Sequence, residues 1–339
     1  MLYETRQMRF GYAAQTVFTT PAADNIAVNE TTIEPLDIDP DVKIHELPQD
    51  HGSRNAVIQN TIHSTAGSGA RFTTKGPVSG RDISEFLYAH FQKVVEAGTT
   101  GFAKTFTYFI DHPIFASNEG HFLTWFRRFP MASSSQKVGG CIAKRLKISG
   151  ERDGILNFEA DWIGRGTISS SANPSGVWTP DTGEEFVYFN DMDSAVIDFT
   201  TAGVLPSPSP ITSPVPMTLQ SFEIESNYEV EKVGHDAVGF NDFGFKSRAG
   251  SFKLKMLRDT TADSALSAIQ TGALITIVLS IGILDITFTG KIEKLDYDAE
   301  GLLVNNISGK LYATYTAGAW GQPLTIVCTD GYDKAWPAA

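Results

Sequence analysis

Two stretches decide the reading: Lys144–Leu156, KRLKISGERDGIL, and Lys291–Leu303, KIEKLDYDAEGLL. Both fit K-x-x-K-[IL]-x4-[DE]-G-[IL]-L with identical spacing. Each has a strand-like run before the acid–Gly pair and another after it, the form of a β-hairpin turning on glycine. On the first return strand Leu156, Phe158, Ala160 and Trp162 alternate with Asn157, Glu159 and Asp161. A period of two packs one face and leaves the other polar. In the second copy Leu284, Ile286, Phe288 and Ile292 alternate with Asp285, Thr287, Lys291 and Glu293. Its return phase slips between Val304 and Ile307, which predicts a bulge at Asn305–Asn306.

The repeat extends upstream. Phe72-x-x-Lys75 and Phe252-x-x-Lys255 each open a strand, and a helix start follows each. The first helix is predicted over Asp82–Glu96, with Asp82 and Glu85 as a capping box and Gly98 as the stop. Its apolar stripe is Ile83, Phe86, Leu87, Phe91 and Val94. The second is shorter, capped by Thr260 or Thr261 and stopped by Gly272. The same order occurring twice predicts a mainly β chain built as two copies of one unit, each flanked by a helix. Lys147 and Lys294 should then hold equivalent positions on equivalent strands.

A chain of 339 residues is long enough for two cores. A net charge of −12 argues against a surface built throughout to grip phosphates. Two cysteines, Cys141 and Cys328, form no disulfide framework and suit cytoplasmic synthesis. Residues 1–20 lack the layout of a signal peptide. The apolar run Ala273–Leu284 is too short to span a bilayer and reads as two buried strands turning near Ser280–Gly282.

These patterns divide the chain into an extended N-terminal arm over 1–36, a first β domain over 37–168, a Ser/Gly/Pro/Thr-rich linker over 169–184 and a second β domain over 185–339. Gly234–Gly250, with Phe240, Phe243 and Phe245, lacks a clear period and reads as an aromatic docking loop. The proline loop at 205–216 has no assigned role.

No G-x-S-x-G, P-loop, G-x-G-x-x-G, C-x-x-C or H-E-x-x-H motif is present, so no enzyme activity, metal or cofactor is expected. His45, His51 and His63 cluster in sequence without the spacing of a zinc site. Cys141 reads as an inert packed thiol. Trp125, Trp162 and Trp178 could stack sugars, with core or interface packing the stronger reading. Glu159 with Asp161, and Glu223 with Glu225, could be paired acids; polar-face positions fit them better.

Gly140-Cys141 leading a strand pair to Asp161-Trp162-Ile163-Gly164 resembles the hairpin of tail tube proteins of long-tailed bacteriophages. Leu219-x-x-Phe222-x-Ile224-x-x-Asn227, followed by Gly250-Ser251-Phe252, is similar to that family's second half. The resemblance covers roughly residues 55–312. It implies two tandem tail-tube-like β-sandwich or half-barrel units, assembled into stacked rings around a channel for DNA ejection. It also implies a virion tail location after assembly in the host cytoplasm, without a membrane. The partners implied are further copies of the chain, tape measure, tail terminator and tail-tip proteins, and DNA in transit. Duplication favours a trimer with pseudo-sixfold symmetry over a hexamer. Glu159, Asp161, Glu223, Glu225, Lys253 and Lys255 are the candidate lumen-facing residues, on a wall expected to be acidic or neutral. Phe240, Phe243 and Phe245 are the candidate inter-subunit contacts. The alternatives are a carbohydrate-binding or adhesive β-sandwich, or another tail component such as a tail-tip or head–tail joining protein.

Overall fold

Alternation of apolar and polar residues, the pattern of the quoted hairpin, runs through almost every element of the fold. The computed structural model describes residues 9–15, 17, 19–22, 28–31, 39–41, 69–97, 103–107, 121–128, 134–165, 169–172, 178–179, 186–198, 215–234, 242–257, 274–298, 304–313, 315–316 and 319–329. The chain begins with β1 (Arg9–Gln15), β2 (Val28–Thr31) and β3 (Asp39–Asp41). β4 (Gly69–Pro77) leads into the helix α1 (Gly80–Phe91), then β5 (Val94–Ala97), β6 (Ala103–Thr107) and β7 (Phe122–Arg128). The long β8 (Ser134–Glu151) makes a hairpin with β9 (Asn157–Gly164). The stretch read as a linker contributes β10 (Ser169–Ala172) and β11 (Trp178–Thr179). Next come β12 (Met192–Asp198), β13 (Val215–Pro216), β14 (Leu219–Val233) and β15 (Asp242–Leu257). β16 (Leu274–Ile281), β17 (Leu284–Asp298) and β18 (Val304–Leu311) follow, then β19 (Tyr315–Thr316), β20 (Ala319–Trp320) and β21 (Leu324–Thr329).

The fold is mainly β, with one α-helix among the described residues and a large sheet that is antiparallel except where β11 runs beside β2. One layer runs β3-β4-β9-β8-β14-β15-β18-β17. A second runs β5-β6-β21-β17-β16-β12-β13. β17 belongs to both: Leu284–Phe288 pair with β21, and Gly290–Asp298 pair with β18. A third group, β11-β2-β1-β7, joins the N-terminal half of β8.

The two quoted stretches occupy like places. Phe72 lies opposite Trp162, and Lys75 opposite Glu159. Phe252 lies opposite Gly309, and Lys255 opposite Asn306. Counted from the repeated pattern, Trp162 matches Gly309 and Glu159 matches Asn306. Each hairpin also carries a bulge on its first strand, at Lys144 and at Glu293. This corrects the bulge expected at Asn305–Asn306, since both residues stay in register with β15. The apolar phase slips on β17 instead, from Ile292 to Leu295. The second hairpin closes sooner: its last pair is Asp298 with Val304, whereas the first ends at Ser149 with Asn157. Lys294 therefore pairs with Ser308, in the place of Arg145 opposite Asp161. It shares a face with the Lys147 position but stands one same-face step away, which corrects the expected equivalence.

α1 buries Ile83, Phe86, Leu87 and Phe91 between the layers. It starts at Gly80 after an extended Ser79, and Gln92, at φ 62°, ends it by donating its N–H to Tyr88 O. The capping box expected at Asp82 and Glu85 is not formed. Asp82 accepts from Tyr12 Oη at 2.7 Å, and Glu85 lies 2.7 Å from His121 Nε2. The β-branched Val94 and Val95 continue as strand, so the helix stops short of Glu96. Residues 260–272, where the second helix was predicted, lie outside the described residues. Tyr12 is fully buried and packs 5.3 Å from Phe86 and 5.5 Å from Trp125. That makes β1 part of the core, not of an extended arm. From Leu274 onward the apolar run does form two strands, β16 and the start of β17, turning at Gly282 with φ 56°.

Candidate functional site

The polar face of the β4-to-β17 layer is the candidate site. Its register lays side chains in cross-strand rows: Thr73–Asp161–Arg145–Asn227, then Lys75–Glu159–Lys147–Glu225–Ser251–Lys310–Lys291. Below these run Asn157–Ser149–Glu223–Lys253–Ser308–Lys294 and Glu151–Ser221–Lys255–Asn306–Asp296. The intervening residues, among them Phe158, Ile148, Ile224, Leu254 and Ile307, are buried on the other side. The structure thus brings together all six residues read as lumen-facing: Glu159, Asp161, Glu223, Glu225, Lys253 and Lys255.

Against an expected wall that is acidic or neutral, the face carries both signs in near balance. The four rows hold eight Lys or Arg against six Asp or Glu. The two signs are segregated. On β9, β8 and β14 five acids face Arg145 and Lys147. On β15, β18 and β17 five lysines face Asp296.

Arg145 is the hub of the acidic half. It donates to Glu159 at 2.7 Å and Glu225 at 2.9 Å, with Asp161 at 3.5 Å. The hydrogen bond to Glu225 raises its pKa, and the bond from Arg145 holds the Glu159 carboxyl below its usual value. Lys147 lies 3.3 Å from Glu159 and 3.8 Å from Glu223. Across the boundary Lys253 donates to Glu223 at 2.8 Å, which raises the lysine's pKa. Alternation through Glu159 and Asp161 pointed to the face but missed Arg145. The bulge at Lys144 shifts the apolar phase of β8 from Cys141 and Ala143 to Leu146 and Ile148. That slip was the available signal.

A groove of about 530 Å³ opens on this face between the β8–β9 turn and β15, lined by Ser149, Glu223, Lys253, Lys255 and Asn306 among others. It brings hydrogen-bonding groups and charges of both signs together without a nucleophile–base pair.

The expected aromatic loop is corrected: its second part is strand, because Asp242–Gly250 pair with β14. Phe243 is fully buried, 6.0 Å from Phe122 in a cluster with Ile142 and Ile163, so it packs inside its own chain. Phe245 lies on the same strand, opposite Val230. Phe240 lies outside the described residues, as do His45, His51 and His63. Trp125 and Trp162 are buried and 5.3 Å apart, so neither offers a platform for a sugar. Burial raises the pKa of the Cys141 thiol, fitting an inert packed group.

No helix among the described residues is long and apolar enough to cross a membrane. Neither a protein-family model nor a curated protein matches this sequence.

Proposed function

We propose that this chain is a structural subunit that joins copies of itself head to tail into rings, stacked as a tube for DNA, as tail tube proteins of long-tailed bacteriophages do. The observation that carries the reading is the junction inside the chain. β3-β4-β9-β8 and β14-β15-β18-β17 are like-ordered sets of four strands, and the last strand of the first pairs with the first strand of the second. Beyond Lys291, the far edge of β17 has no strand partner among the described residues. Repeating the β8–β14 join between molecules would cover that edge with the leading edge of the next chain. A head-to-tail contact of this kind closes into a ring if its rotation allows, and closure removes the exposed edges.

Two tandem units per chain make a trimer with pseudo-sixfold symmetry the favoured ring, with the polar face toward the lumen. Such a subunit needs no catalytic site. It would meet tape measure, terminator and tail-tip proteins in the virion tail. Electron microscopy and sedimentation velocity on the purified chain test the reading. Rings or tubes are expected; discrete monomers at every concentration would overturn it in favour of a monomeric binding protein.

A further inference from the structure

The basic half of the polar face is only partly neutralised inside the chain among the described residues. Lys253, Lys255, Lys291, Lys294 and Lys310 share three adjacent strands. Lys291 sits directly opposite Lys310, and like charges in that position are destabilising. Glu293 holds Lys310 at 2.9 Å, Asp296 pairs with Lys294, and Glu223 reaches Lys253 from β14. Lys255 and Lys291 are exposed and make no ion pair among the described residues. A chain of net charge −12 thus gathers five lysines on three adjacent strands and leaves two of them, Lys255 and Lys291, without an ion pair among the described residues.

We infer that this lysine patch contacts the phosphate backbone of nucleic acid, weakly and without reading sequence. Same-face lysines along β15 stand about 6.8 Å apart and neighbouring strands about 4.8 Å apart, a flat lattice of positive points. No aromatic side chain lies in the four rows to stack a base, and none of their residues is an apolar anchor for a peptide; the exposed Tyr312 stands past the end of β18, outside the rows. Lysine heads on flexible stems meet phosphates as point charges and carry no base readout. The carboxylates of Glu223, Glu293 and Asp296 already neutralise three of the five lysines. The contact is therefore weak enough to release, as a wall beside moving DNA requires. The inference rests on the proposed function only in choosing nucleic acid over other polyanions.

The test is fluorescence anisotropy of a short labelled DNA duplex with the full chain. Two free lysines acting on phosphates predict about a twelvefold loss of affinity between about 50 and 200 mM salt. The double variant Lys255→Glu, Lys291→Glu should weaken binding at least about tenfold at the lower salt. Lys93→Glu, on the exposed turn after α1, makes the same charge change per substitution away from the face and should leave affinity unchanged. No binding at the lower salt, an equal loss from Lys93→Glu and Lys255→Glu, or tighter binding of polyglutamate than of duplex would each overturn the inference. Tube formation is read separately by microscopy. Tubes without DNA binding would sink the inference alone, and binding without assembly would sink only the ring reading.

Discussion

Replacing Arg145 by Met should expose how much the two halves of the chain owe to one charged hub. Arg145 bonds Glu159 on β9 and Glu225 on β14 at 2.7 and 2.9 Å, and its side chain is 21% exposed. Exposed ion pairs are worth about 0.2–1 kcal/mol, and breaking a buried one costs about 3–5 kcal/mol. A site covered to this degree falls between, so Arg145→Met should cost about 2–3 kcal/mol. Methionine keeps the packing of the stem and removes the charge. The assay is urea denaturation at neutral pH of the wild type, Arg145→Met, Glu225→Gln and the double variant. A coupling of about 1 kcal/mol is expected. The folded pKa of Glu159 lies below its ordinary 4.5, and the bond from Arg145 is the largest cause. Its contribution is therefore fully present above pH 4.5 and is lost as pH falls through the lower folded value. In Arg145→Met this acid loss should flatten. A coupling below about 0.3 kcal/mol, or superposable acid limbs in the two proteins, would refute the hub.

Gly309→Ala should destabilise by about 1–3 kcal/mol or more in a thermal melt, because the added Cβ runs into the Lys291 carbonyl oxygen and the Phe252 ring. Phe243→Ser should cost about 3–5 kcal/mol in stability, since the ring fills its own core; a variant with wild-type stability that fails only in assembly would contradict that placement. His90 is fully buried between Ala143 O and Ser226 Oγ, with its pKa lowered by burial to about 3. The unfolded chain takes up the proton first, so stability should fall by up to about 1.4 kcal/mol per pH unit from pH 6.5 toward 3. His90→Gln should lose that pH dependence, and an imidazole titrating near 6.5 in the folded protein by NMR would exclude it.

What the sequence determined by itself is local. The period-two runs at Leu156–Trp162 and Leu284–Ile292 specify strands and the face each buries, because a one-residue slip would turn every side chain over. Gly154 and Gly282 mark turns for the same local reason, and Ile83, Phe86 and Leu87 mark a helix stripe. The six polar-face residues were legible because alternation alone assigns a side. The cross-strand register was not. Nothing near Arg145 in the chain says that Glu159 and Glu225 will flank it, since that depends on β8 lying between β9 and β14. The Gln92 side chain, at the end of α1, is fixed by the His121 backbone, and Tyr12 is fixed in the core by Asp82, partners distant in sequence. Phe243 looked free for want of a period; long-range pairing of β14 with β15 set it on Phe122. Charge followed the same division. Composition fixed a sum of −12, while the order of strands gathered the lysines of β15, β17 and β18 onto one half of one face.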